Sequence, residues 1–234
     1  MKKRKLKKKI LLIPFIIILI PLLFLFFRQD NTNLENNVNE DTNEVEEYDD
    51  IEKQLVIDEN GLSFVDGILI VNKHHALPRE WAPGEDPRAL EQLNALITEM
   101  RALGFDICTT FSGFRSFERQ ETLYNNFVAQ HGREEADRFS ARPGHSEHQS
   151  GLAFDLRHRD GSLVTRTAEA DWIATNAHRF GFIVRYPAES EHITGFIHEP
   201  WHLRYIGERA EEIWRSGLTL EEFLGLDPAP DYLN

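Results

Sequence analysis

Cysteine is nearly absent from this chain: Cys108 stands alone among 234 residues. No intramolecular disulfide is available, and no cysteine near the N-terminus could carry a lipid. Cys108 sits in the alternation D-I-C-T-T-F, which predicts a core thiol and not a nucleophile. Positive charge is also scarce, with 26 Lys and Arg against 39 Asp and Glu and a net charge of −13. That balance argues against nucleic acid as a partner, because polyanion binders need a basic face. A Gly-rich phosphate loop and internal repeats are missing. So are the G-x-S-x-G and S-x-x-K patterns, which leaves serine chemistry without support and makes Ser112 a turn hydroxyl.

What is present begins at the N-terminus. Residues 2–9 are nearly all Lys or Arg, and residues 10–27 are apolar and uncharged. At the rise of an α-helix that run reaches roughly 27 Å, close to the hydrocarbon thickness of a bilayer. The basic cluster stays cytoplasmic under the positive-inside rule. Arg28, Gln29 and Asp30 follow with no Ala-x-Ala cleavage pattern, so an uncleaved anchor is expected. Residues 28–58 are rich in Asn, Asp, Glu and Thr and read as an acidic, disordered spacer. The expected organisation is a basic tail (1–9), a transmembrane anchor (10–27), the spacer (28–58) and an extracytoplasmic domain (59–234). A single-pass cell-membrane protein with a monomeric extracytoplasmic domain is expected.

Within the domain, G-I-L-I-V-N (67–72) reads as a strand. Asp86 caps a helix that Pro87 starts, with Leu90, Leu93, Ile97 and Met100 at helical spacing until Gly104. Asp106–Phe111 alternates as a strand, and Ser116 caps a second helix. Residues 133–139 add a helical turn, and Ala141–Ser150 is a polar loop. Leu152–Leu156, Phe182–Arg185 and Thr194–Ile197 read as strands; Ala168–Phe180 and Glu208–Trp214 read as helices. Irregular alternation without βαβ units predicts an α+β fold, with helices packed on a mainly antiparallel sheet.

Two short stretches carry the chemistry. S-E-H-Q-S-G-L-A-F-D supplies His148 and Asp155; E-P-W-H supplies Glu199 and His202. A hydrolytic zinc site uses three protein ligands and an open position. His148, Asp155 and His202 would form that trio, with Glu199 beside it as a general base. Pro200 disfavours a continuous helix through Glu199, so this is not the helical H-E-x-x-H arrangement. Gly151 argues for a loop running into a strand between His148 and Asp155.

The segments L-I-V-N-K, S-G-F-R-S, H-S-E-H-Q-S-G-L-A-F-D-L, R-Y-P and T-G-F-I-H-E-P-W-H-L-R-Y-I-G occur in that order. Together, over about residues 67–216, they resemble the VanY-type D-alanyl-D-alanine carboxypeptidases, a zinc peptidase group that includes bacterial L,D-carboxypeptidases. The resemblance implies a hedgehog-type α+β fold and Zn²⁺ at His148, Asp155 and His202, with Glu199 as base. It also implies active-site roles for Arg115 and for the polar pocket positions Gln120 and Ser146. His198 stands where relatives often carry an aromatic residue. The leading expectation is hydrolysis of the C-terminal D-Ala of peptidoglycan stem peptides at a D-Ala–D-Ala bond. The alternatives are L,D-carboxypeptidase action on tetrapeptide stems, an endopeptidase, or a non-catalytic zinc-bearing binding module.

Overall fold

The computed structural model describes residues 54–233. The basic tail, the expected anchor and most of the spacer lie outside these residues. Among the described residues, no helix is long and apolar enough to cross a membrane.

The chain runs β1 (Leu55–Ile57), β2 (Ser63–Val65), β3 (Ile68–Ile70), α1 (Pro87–Ala102), α2 (Phe117–His131) and α3 (Arg133–Ala136). It continues with β4 (Ala153–Asp155), α4 (Thr167–Asn176), β5 (Phe182–Tyr186), α5 (Glu191–Thr194), β6 (Glu199–Tyr205), α6 (Ala210–Ser216) and α7 (Leu220–Leu224). Short 3₁₀ turns occupy Glu147–Ser150, Ala177–Phe180 and Gly207–Arg209. Strands β1, β2 and β3 form one antiparallel sheet in that order; β4, β6 and β5 form a second, with β6 central. The architecture is the expected α+β, with the antiparallel strands divided between two small sheets. Leu55–Ile57 lies inside the stretch read as spacer, yet it pairs with β2 and leaves its side chains exposed.

The second sheet is buried on both faces, and its two faces differ. Side chains alternate along a strand, so residues paired across strands share a face. Phe154, Leu203, Val184 and Phe182 therefore point one way, toward Leu93, Leu96 and Met100 of α1 and Ile173 of α4. Asp155, His202, Arg204, Ile183 and Arg185 point the other way. On that side Ile183 packs with Val65, Ile70, Ile213 and Leu224, which joins the first sheet to α6 and α7. One face is a hydrophobic core; the other carries the polar residues on which the site is built.

Local signals explain most elements. The Asp86 carboxylate accepts hydrogen bonds from the Arg88 and Ala89 amides, with Pro87 at the first helical position. Ser116 caps α2 through the Arg119 amide. Thr219 and Glu222 form a reciprocal capping box that starts α7. Three sequence expectations fail. Asp106–Phe111 is no regular strand and makes an isolated bridge from Ile107 to His158. Cys108 is half-buried, not a core thiol, and its sulfur lies 3.0 Å from the Thr110 hydroxyl. Ile107 takes the core position, so the alternation points inward one residue earlier. Thr194–Ile197 is not a strand either; the helical turn α5 ends at Gly195 with φ 78°.

Gly151 is the hinge between α1 and the loop of His148. Its φ is 76°, and its carbonyl accepts the Asp86 amide at 3.0 Å. A Cβ there would collide with the Gly84 carbonyl oxygen. Gly151→Ala is expected to cost at least about 2 kcal/mol from the left-handed backbone and the collision together. A urea denaturation midpoint equal to that of the wild type would contradict this.

Candidate metal centre

Adjacent antiparallel strands place Asp155 of β4 directly opposite His202 of β6. Asp155 Oδ1 lies 3.0 Å from His202 Nδ1, and Asp155 Oδ2 lies 3.2 Å from His148 Nε2. His148 comes from the 3₁₀ turn preceding β4. The two imidazoles stand 5.0 Å apart and nearly perpendicular. One donor atom from each of His148, Asp155 and His202 falls within 4.8 Å of the others, and all three residues are buried. A mixed nitrogen and carboxylate set of this kind suits Zn²⁺.

Hydrogen bonds decide which ring nitrogen each histidine turns toward the centre. His148 Nδ1 lies 2.9 Å from the Gly113 carbonyl oxygen. A carbonyl only accepts, so Nδ1 carries the proton and Nε2 keeps its lone pair beside Asp155. For His202 the roles reverse: Nε2 lies 3.2 Å from a carboxylate oxygen of Glu147, and Nδ1 faces Asp155.

Glu199 and His202 share β6, three residues apart. Regular alternation would send them to opposite faces. The pairing of β5 with β6 is interrupted, however. Val184 pairs with Leu203 and Tyr186 with Glu199, so Arg185 alone stands opposite Pro200, Trp201 and His202. This bulge, at a proline with no amide hydrogen to donate, turns Glu199 into the same cavity. Glu199 Oε2 lies 3.9 Å from His202 Nδ1. E-P-W-H is non-helical, as Pro200 implied, and opens the seven-residue strand β6.

A cavity of about 770 Å³ opens over these groups, lined by Arg115, Ser146, Trp201 and Tyr186 among others. The segment holding Arg115 runs beside β4: Ser112 and Asp155 exchange two backbone hydrogen bonds, and the Arg115 amide donates to the His148 carbonyl. One Arg115 guanidinium nitrogen donates to Gln120 Oε1 at 2.7 Å, and another lies 3.8 Å from Asp155 Oδ2. Gln120 corrects the sequence expectation. It is buried, does not line the cavity, and spans Arg115 and the Ala141 carbonyl. Its place is behind Arg115, not against a substrate. His198 is exposed and lies outside the cavity lining.

Burial lifts the Glu199 carboxyl to about 8; Asp155 adds to this, and His202 and Arg115 oppose it. Burial works against the His202 imidazolium, but its hydrogen bonds to Asp155 and Glu147 outweigh this and hold the ring up at about 9. For Asp155, burial is overcome by the two histidines, which keep the carboxylate ionised far below its usual range. Burial also depresses His148.

Sequence reasoning missed two neighbours of the trio. Tyr186 packs its ring 4.9 Å from that of His202. Glu147, the residue before the ligand His148, is wholly buried and touches His202. Arg185 and Arg204 embedded in apolar strands were the available signal, since each buried guanidinium requires a buried carboxylate.

A family model described as D-alanyl-D-alanine carboxypeptidase, VanY, matches residues 84–208, which include every group named at the centre. The chain belongs to the VanY family. It is 36% identical over 179 residues to the D-alanyl-D-alanine carboxypeptidase of Enterococcus faecalis, covering 68% of this chain and 66% of that one. It is 33% identical over 181 residues to the Bacillus subtilis putative carboxypeptidase YodJ, covering 67% and 66%. The chain thus spans about two thirds of the length of these curated relatives. Among solved structures, the LdcB LD-carboxypeptidase superposes with a TM-score of 0.75 at 44% identity, covering 78% of this chain and 100% of that one. A vancomycin-resistance D,D-pentapeptidase, VanY, in complex with Zn(II) gives 0.59 at 36% identity, covering 66% and 97%. That relative's ion agrees with the donor set here: the metal of this VanY-family centre is zinc.

Metal binding needs His202 neutral at Nδ1, whereas in the metal-free protein the ring stays protonated up to pH about 9. Zinc uptake at neutral pH therefore displaces one proton from this ring. Affinity is expected to rise about tenfold per pH unit between pH 7 and 8 and to level off above the folded-state pKa. A chelator-competition titration at the two pH values checks this, and a pH-independent affinity contradicts it.

Proposed function

We propose that this chain is a zinc L,D-carboxypeptidase that removes the terminal D-Ala from tetrapeptide stems of peptidoglycan. The similarity to L,D-enzymes carries the reading. The LdcB LD-carboxypeptidase and a pneumococcal L,D-carboxypeptidase, DacB, are matched over their entire chains at 44% and 45% identity, with TM-scores of 0.75 and 0.74. The two VanY structures reach 34% and 36% identity with TM-scores of 0.60 and 0.59. This departs from the sequence expectation, which put the D-Ala–D-Ala bond first.

The chain's own groups divide the work. His148, Asp155 and His202 would hold the zinc ion, which would supply Lewis-acid polarisation of the scissile carbonyl and lower the pKa of a water. Glu199, buried beside the centre, would be held ionised by the charge of the bound cation, and so takes the proton of the attacking water and returns it to the departing D-Ala amine. Arg115, braced by Gln120, offers its guanidinium to the oxygen that gains negative charge. Ser146 lines the cavity and offers a hydroxyl to the bound peptide. An acidic chain accepts a carboxylate substrate here because Arg115 and the ion make the pocket locally positive. The apolar run 10–27 would anchor the chain in the cell membrane as a single pass, with a monomeric catalytic unit outside, near the wall.

Two outcomes follow. Glu199→Gln is expected to retain full zinc occupancy while kcat falls by about 10² to 10⁴; turnover within a few-fold of the wild type would remove Glu199 as the base. Given muropeptides of defined length, the full chain is expected to release D-Ala from tetrapeptides faster than from pentapeptides, and a chelator should abolish both. Preference for the pentapeptide would restore the D,D reading, shorter fragments would indicate an endopeptidase, and no product would leave a binding module.

A further inference from the structure

Arg185 of β5 and Arg204 of β6 are the largest fully buried side chains among the described residues. Both lie on the sheet face that carries Asp155 and His202, with Arg204 two residues beyond the ligand. Glu147 Oε1 accepts hydrogen bonds from both, at 2.8 Å from Arg185 Nε and 2.7 Å from Arg204. Glu221 of α7 takes the two remaining Arg185 nitrogens at 2.9 and 2.5 Å, and also accepts the Asn72 carboxamide. Two carboxylates thus meet two guanidiniums, and the buried cluster is neutral. The second oxygen of Glu147 faces His202 Nε2 at 3.2 Å.

We propose that Glu147 is the positioning residue of the ligand His202, and that α7 is part of the same device through Glu221. The geometry gives Glu147 this role beside that of neutralising the two arginines. Both arginines hold one of its oxygens and remove its freedom to rotate. A carboxylate without a proton can only accept, so Nε2 donates to Glu147 and keeps its proton there, which leaves Nδ1, on the Asp155 side, as the nitrogen available to the metal. The fixing donor bond of His148 goes to a backbone carbonyl; that of His202 depends on a side chain supported from 74 residues downstream. The L-I-V-N-K motif acquires a purpose in this chain, because its Asn72 braces Glu221 from the far side. None of this depends on which peptide bond is cut.

The test uses the full chain, ¹⁵N-labelled at histidine and loaded with zinc. In the wild type, the His202 ring should show a proton on Nε2 and the metal on Nδ1. In Glu147→Gln the amide oxygen stays with the arginines, and the N–H group meets Nε2, so the donor bond is reversed. Zinc Kd, measured by chelator competition on the folded variant, should rise about 10- to 100-fold, and the metal-free protein should melt lower as well, because Arg185 and Arg204 are left with one carboxylate between them. Glu221→Gln, one link further out, should weaken zinc in the same direction by less. A His202 Nε2 without a proton in the wild type overturns the proposal. So does unchanged zinc affinity in a folded Glu147→Gln. Should that variant fail to fold, the wild-type spectrum and Glu221→Gln still decide.

Discussion

The pairing of Asp155 with His202 across two antiparallel strands is the contact on which the rest depends. It places a carboxylate against an imidazole without any loop having to be held in place by chance. Backbone hydrogen bonds set the separation of the strands, and the period-2 alternation sets the direction of the side chains. Everything else at the centre refers to that pair. His148 reaches it from the turn before β4, and Arg115 from a segment bonded to the edge of β4. Glu199 reaches it because the bulge at Pro200 breaks the alternation once.

The opposite faces of the second sheet divide stability from chemistry. Phe154, Leu203 and Phe182 pack against α1 and α4 in a dry core, and this is where the hydrophobic driving force lies. The other face buries charges that contribute little net stability, since desolvating four ions roughly cancels their attraction. Their retention makes sense as specification of geometry. The Glu147 carboxylate, pinned by Arg185 and Arg204, has one orientation, and so does the ring it touches.

Much of this was legible in the sequence where the cause is local. Asp86-Pro87, Ser116 and Gly181 announce their helix boundaries because capping and left-handed turns act within a few residues. The ligands and Glu199 were legible because their residue types are rare together at such spacing. The centre of the second sheet was not: Pro200 excluded a helix without announcing a seven-residue strand, because the proline occupies a bulge where no donor is required. Gln120 was assigned to the pocket by the family resemblance, and the fold buries it behind Arg115, outside the cavity lining. Glu147 escaped notice because its partners lie 38, 55, 57 and, through Arg185, 74 positions away. Only a fold brings them together.

A single strand of seven residues, Glu199–Tyr205, carries Glu199, the ligand His202 and one of the bracing arginines. Slipping it by one residue against β4 would turn all three away together and bury a leucine where the ring belongs. Misassembly of this chain therefore has no partly competent product. A molecule that has threaded β6 wrongly is inert as well as unstable, so a stray hydrolase does not arise from a folding mistake.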